Sequence, residues 1–109
     1  MARKGDNLHL TILHVPDCPN AAVLEARLAA ILPDYPAVQV SRHVVTTEAQ
    51  ADRAGMAGSP TILADGIDPF ARPGTRPSLS CRMYLDEHGR PAQAPSSTQL
   101  KAVLADASA

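Results

Sequence analysis

The sequence predicts an α/β protein with a central mixed sheet and the element order β-α-β-α-β-β-α. Three observations support this: apolar runs of strand length at residues 8–15, 38–45 and 60–64, helical spacing of apolar residues after residue 19, and a helical segment at the C-terminal end. Such alternation favours a right-handed parallel crossover between the first two strands. A chain of 109 residues is enough for one core, so we expect a single domain over residues 1–109, with flexible ends at 1–7 and 106–109.

The first strand and first helix have the clearest patterns. Residues 8–15 carry aliphatic side chains on both alternating sets, which is typical of a central strand covered on both faces. Residues 20–32 place Leu24, Leu28 and Ile31 at helical spacing. The sequence therefore predicts a buried strand leading directly into an amphipathic helix.

The next two elements are a strand and a short helix. Residues 38–45 alternate apolar and polar side chains before becoming fully apolar, which predicts strand two. Thr47 and Gln50 have the spacing of a capping box, and Gly55 lies where a left-handed residue would end a short helix. We expect the helix between them to be short.

The second half begins with a strand that starts at a proline. Residues 60–64 form a compact apolar run closed by the turn pair Asp65-Gly66. Residues 67–80 contain three prolines and a glycine and show no periodicity. This segment is predicted to be the longest irregular loop.

Residues 81–85 are predicted to form strand four, and residues 86–91 a turn. Ser96 and Gln99 form a second capping box, which marks the start of the last helix.

Composition and charge argue against some classes of function. The chain has 45% apolar and 19% charged residues, the balance of an ordinary folded domain. With ten basic and eleven acidic side chains and no basic run beyond Arg3-Lys4, it carries no electrostatic footprint for nucleic acid or an anionic membrane. The N-terminal residues do not resemble a secretion signal, so we expect a cytoplasmic protein.

The position of Cys18 indicates thiol chemistry. Two cysteines in a small chain without a secretion signal favour redox, metal or nucleophilic roles over a structural disulfide. Between a strand end and a helix start, a sulfur meets unpaired backbone N–H groups and the positive end of the helix dipole, which favour thiolate. Pro19 suits the first helical turn. The carboxylate of Asp17 acts in the opposite direction.

Two motifs give the chain a resemblance to the thioredoxin superfamily. Cys18-Pro19-Asn20-Ala21 is similar to that family's Cys-x-x-Cys motif with Ala21 replacing the second cysteine, and Gly58-Ser59-Pro60-Thr61 is similar to its cis-proline loop. The resemblance implies a thioredoxin-like three-layer fold in which Cys18 is the catalytic thiol. It further implies that Pro60 is cis and faces Cys18, with Ser59 and Thr61 flanking it. The partners would be a small thiol or a protein disulfide, with no cofactor required.

A second resemblance is to the bacterial organomercurial (alkylmercury) lyases. The segment at residues 78–84, Ser-Leu-Ser-Cys-Arg-Met-Tyr, is similar to the strand that carries their later cysteine. This implies that Cys18 and Cys81 together bind an organomercurial, mercury(II) or another soft metal, for which thiolates are the preferred ligands. The lyases' acidic residue near the first cysteine is Ala21 here, so Asp17 or Asp68 would have to supply the proton.

Structural alternatives stand beside these interpretations. Cys18 could be a small buried hydrophobe, Cys81 a buried strand residue, and Pro60 an ordinary trans proline at a strand entry. A third class of function is a redox-inert interaction domain, which Ala21 permits. The sequence leaves the oligomeric state open.

Other candidate side chains give weaker signals. His14, at the end of strand one, could approach Cys18, and Phe70 could cover the cysteine or anchor its loop to the core. The four histidines lack metal-ligand spacing, so a zinc site is not expected. Neither a phosphate-binding glycine loop nor a nucleophilic serine elbow is present in the sequence.

Overall fold

The computed structural model describes residues 8–107, with side chains described up to residue 105. Its elements are β1 (His9–His14), α1 (Pro19–Ile31), β2 (Gln39–Val44), α2 (Glu48–Ala54), β3 (Ala57–Ser59), β4 (Thr61–Ala64), β5 (Ser78–Cys81), β6 (Tyr84–Leu85), β7 (Pro91–Ala92) and α3 (Ser97–Ala107). A 3₁₀ turn at Leu32–Asp34 follows α1. Within this part of the chain, no helix is both long and apolar enough to cross a bilayer.

The main sheet is mixed and has the order β2-β1-β4. Strand β1 runs parallel to β2, with Ile12 opposite Arg42, and antiparallel to β4, with Ile12 opposite Ile62. The predicted central position of the first strand and its parallel pairing with the second are therefore confirmed. Two smaller pairs, parallel β3–β5 and antiparallel β6–β7, complete the strands.

Strand β1 is buried on both faces, as its sequence predicts. Leu10 and Ile12 belong to a core cluster that includes Leu24 and Leu28 of α1 and Leu100 of α3. On the other face, a second cluster joins β1 to β4 and α2 through Leu13, Val45, Ala51, Met56 and Leu63. Since a fully buried leucine contributes about 1.5–3 kcal/mol, these two clusters fix α1 and α2 on opposite sides of the sheet.

Both predicted helix caps form, and the one at α3 is a complete capping box. The Thr47 hydroxyl accepts a hydrogen bond from the Gln50 amide at 3.1 Å, and Gly55 ends α2 with φ +84°. The Gln50 side chain reaches back to the Thr46 amide, one residue earlier than the motif requires. At the start of α3, the Ser96 hydroxyl accepts a hydrogen bond from the Gln99 amide at 3.1 Å. In return, the Gln99 side-chain oxygen accepts from the Ser96 amide at 2.9 Å.

The predicted strand at residues 81–85 is wrong as a single element. Strand β5 begins earlier, at Ser78, and ends at Cys81, whereas Tyr84 starts the separate strand β6. The β3–β5 ladder ends where the Arg82 amide donates to the Ser59 carbonyl at 2.9 Å, because the next residue, Pro60, has no N–H to continue it. Strands β3 and β7 were not predicted, since three- and two-residue strands carry no readable alternation.

The chain ends were expected to be flexible. Residues 1–7 and 108–109 lie outside the described residues, and the backbone of residues 106–107 continues α3.

Candidate functional site around Cys18

Cys18 is the N-cap residue of α1, and Pro19 is the first residue of the helix, as predicted. Asp17 forms the turn between β1 and α1 with φ +55°, a left-handed conformation that aspartate tolerates better than most residues. Cys18 is partly exposed, whereas Ala21, one turn further on, is 3% exposed. The sulfur is therefore accessible at the positive end of a 13-residue helix.

Ser59 is the side chain that touches the cysteine. Its hydroxyl donates to the Cys18 Sγ at 3.1 Å and accepts a hydrogen bond from the Val15 amide at 3.0 Å. Ser59 is 1% exposed, so this donor is fixed beside the sulfur and shielded from water. A hydroxyl donor at this position stabilises a thiolate more than a thiol, because it opposes the negative charge.

The loop that carries Ser59 is held by Thr61. The Ser59–Pro60 peptide bond is cis, which confirms the prediction for Pro60. The buried Thr61 hydroxyl donates to the Gly58 carbonyl at 2.7 Å and accepts from the Ala57 amide at 3.2 Å. Thr61 thus fixes the backbone on both sides of Ser59 and acts on the site through that residue.

Cys81 lies on β5, in register with Ser59 on β3. It is exposed, so its interpretation as a buried strand residue is wrong. Neighbouring strands lie roughly 4.8 Å apart, so the backbone of Cys81 lies beside that of the serine that contacts Cys18. Both thiols are free.

A network that the sequence did not reveal braces the other side of this loop. The Arg82 guanidinium forms a two-pronged ion pair with Asp68, at 2.6 and 3.3 Å, and also donates to Thr61 Oγ1 at 3.2 Å and the Phe70 carbonyl at 2.9 Å. The Arg82 and Asp68 side chains are only 9% and 12% exposed. Asp68, predicted as a proton donor, therefore lies in a nearly buried ion pair.

The feature of the sequence that could have indicated this network is a charged side chain, Arg82, inside a predicted strand. Arg82 stands between Cys81 and Met83, and a buried guanidinium requires a partner. Sequence alone does not identify Asp68 as that partner, because 14 residues separate the two.

Tyr84 completes the brace. Its hydroxyl donates to the Pro60 carbonyl at 2.5 Å, and its ring lies under the Arg82 guanidinium, 4.6 Å from the centroid. Burial raises the pKa of Tyr84, and the Arg82 charge offsets part of that shift. The phenol therefore stays protonated and donating throughout the neutral range.

We predict that Tyr84→Phe lowers the free energy of unfolding by about 1–3 kcal/mol, because the Pro60 carbonyl then loses its donor in a buried setting. Urea denaturation followed by circular dichroism measures this loss. An unchanged urea midpoint would contradict the assigned hydrogen bond.

The remaining predicted side chains serve other purposes. His14 Nδ1 lies 2.8 Å from the Val15 carbonyl. Phe70 packs against the core cluster and meets the Tyr84 ring edge-on at 5.6 Å, so it anchors its loop. Within residues 8–107, no group of three or more His, Cys, Asp or Glu side chains is placed to hold a metal ion.

Comparison with protein-family models, with curated proteins and with solved structures finds no match to this chain.

Proposed function

We propose that this chain is a thioredoxin-like thiol protein in which Cys18 carries out thiol–disulfide or related thiolate chemistry. The contact that carries this proposal is the hydrogen bond from the buried Ser59 hydroxyl to the Cys18 sulfur. A cysteine at a helix N-terminus gains thiolate character from the helix dipole, and a fixed hydroxyl donor adds to it. The order of the first strands and helices and the mixed central sheet are compatible with the proposed fold.

The proposed reaction begins with attack of the Cys18 thiolate on one sulfur of a substrate disulfide, RS–SR. The substrate S–S bond breaks, a Cys18–SR mixed disulfide forms, and the released RS⁻ takes up a proton. The substrate sulfur that leaves is reduced, and Cys18 is oxidised. Ala21 cannot complete the exchange, because it has no thiol one helical turn away.

A second thiol must then attack the mixed disulfide. If Cys81 attacks the Cys18 sulfur, RS⁻ leaves and a Cys18–Cys81 disulfide forms; if an external thiol R′SH attacks the bound R group's sulfur, R′S–SR leaves and Cys18 is restored. The register of Cys81 with Ser59 supports the internal route.

The test is the alkylation rate of Cys18 by iodoacetamide at neutral pH in Cys81→Ser, which leaves one thiol. We expect Ser59→Ala in that background to slow alkylation about three- to tenfold, because the thiolate loses a hydrogen bond. Ser80→Ala is the matched control, since Ser80 is an exposed serine on the neighbouring strand. Circular dichroism confirms that each variant is folded.

Incubation with bis(2-hydroxyethyl) disulfide separates the internal and external routes. Intact-mass spectrometry should show a mixed disulfide that accumulates in Cys81→Ser and converts to an internal disulfide in the wild type. Slow alkylation, equal in Ser59→Ala and Ser80→Ala, together with no adduct, would refute thiol chemistry and favour a redox-inert interaction domain.

A second candidate, supported by the hydrogen bond between Ser59 and Cys18 and by the register of Cys81 with Ser59, is binding of mercury(II) or another soft cation. Two thiols would exchange their protons for one metal ion in linear coordination, which thiolates favour. An organomercurial would bind through the same sulfurs. Because Asp68 is held in an ion pair, the exposed Asp17, next to Cys18 in the sequence, is the candidate acid for cleavage of a carbon–mercury bond.

Native mass spectrometry during mercury(II) titration tests this candidate. We expect one ion per wild-type chain that survives competition with a monothiol, and loss of that resistance in both Cys18→Ser and Cys81→Ser. Equal retention in the two single-cysteine variants would show that the sulfurs act independently and would refute a shared site.

A further inference from the structure

A cavity of about 320 Å³ opens one residue beyond Cys81, between the loop after β4 and strand β6. This volume is at the lower end of the range of small-ligand sites, roughly 300–1,000 Å³. The lining residues relevant to recognition are Phe70, Arg72, Thr75, Arg82, Met83 and Tyr84. The proposed thiol chemistry uses none of them.

The charge of this cavity is unbalanced. Among residues 8–107, the side chains that line it include two arginines and no acid. Arg82 is neutralised by Asp68 from behind, whereas Arg72 makes no ion pair within the described part of the chain. Arg72 is therefore the uncompensated positive charge of the cavity.

The backbone that carries Arg72 is fixed. Both the Thr75 amide, at 3.2 Å, and the Thr75 hydroxyl, at 2.7 Å, donate to the Arg72 carbonyl, which closes a tight turn. Among the other lining residues, the Phe70 and Tyr84 rings meet edge-on, and Met83 is 66% exposed. The cavity lining thus combines an arginine on a closed turn with aromatic and thioether side chains.

We propose that this cavity binds a small organic anion whose carboxylate or phosphate pairs with Arg72 and whose flat apolar part packs on Phe70 and Met83. Guanidinium groups match both anions through paired hydrogen bonds, which explains the choice of charge. Thioether and aromatic surfaces suit an aromatic ring. The proposal is independent of the chemistry at Cys18.

The experiment is a titration of the full chain with benzoate, followed by the amide shifts of Ala57, Thr75 and Met83 in two-dimensional NMR spectra. Acetate lacks the ring and benzyl alcohol lacks the charge, so each should bind about tenfold more weakly than benzoate. Phenyl phosphate identifies the anionic group: tighter binding than benzoate assigns a phosphate ligand, and weaker binding a carboxylate.

Arg72→Gln should weaken benzoate binding about tenfold and leave benzyl alcohol binding unchanged. Arg53→Gln is the matched control, because it removes an exposed arginine from α2, outside the cavity, and should bind benzoate like the wild type. Absence of saturable shifts at the cavity, or equal weakening in the two arginine variants, would overturn the proposal.

Discussion

Replacing Arg82 by methionine should lower the free energy of unfolding by about 3–5 kcal/mol, the largest effect expected among the charged side chains that the structure describes. Methionine keeps the aliphatic stem but leaves the Asp68 carboxylate, 12% exposed, without its counter-charge. It also removes the donors to Thr61 and the Phe70 carbonyl. Urea denaturation gives the value directly, since a domain of this size has about 5–15 kcal/mol to lose.

Two variants identify the cause. Arg42→Met breaks the exposed pair with Glu25, whose side chains are 63% and 31% accessible, and should cost less than about 1 kcal/mol. The double variant Arg82→Met with Asp68→Asn should recover part of the loss, because no buried charge remains unpaired. If Arg82→Met lowers the free energy of unfolding no more than Arg42→Met does, burial does not make the Arg82–Asp68 pair more important for stability than the exposed pair.

Gly58→Ala should destabilise the chain by about 2–5 kcal/mol. Its φ of +98° disfavours any side chain by about 1–2 kcal/mol, and a Cβ would lie 2.8 Å from the Arg82 Cβ and 3.2 Å from the Ser80 carbonyl oxygen. Such overlap adds about 1–3 kcal/mol, because the neighbour is a backbone-attached atom that cannot swing away. The clash would push β5 from β3, and with it Cys81 from Ser59.

Gly55→Ala separates the two contributions. Gly55 has a similar φ, +84°, but nothing lies within 4 Å of the added Cβ, so its cost should be the conformational one alone. The difference between the two variants in thermal or urea unfolding measures the close approach of β3 to β5. Equal losses of unfolding free energy in the two variants would mean that β5 moves away from the added Cβ at no cost in stability.

Local sequence patterns were enough to predict the parts of the fold that local physics determines. These parts are the burial of β1 on both faces, the apolar spacing of α1, and the serine and threonine caps. Each depends on residues that are close together in the sequence. The position of Cys18 at the start of α1 follows from the same short-range rules, because Pro19 can occupy the first helical turn.

The missing parts depend on contacts between distant residues. Ser59 and Cys18 are 41 residues apart, and the pairing of β4 with β1 brings their segments together. The family resemblance implied this proximity, whereas no local pattern predicts it. Arg82 interrupts the predicted fourth strand because its amide meets the end of a ladder at Pro60, a condition that residues 81–85 do not encode. Short strands such as β3 also form because of their pairing with another strand and not because of the β-propensity of their own residues.

The Val15 amide, whose proton is bonded to the Ser59 hydroxyl, offers a built-in reporter of the cysteine environment. A group attached to the sulfur changes the acceptor of this hydroxyl, so we expect the Val15 amide to change its proton frequency and its rate of exchange with deuterium. Solvent exchange at one backbone position would thus report modification of Cys18 without a chromophore attached to the protein.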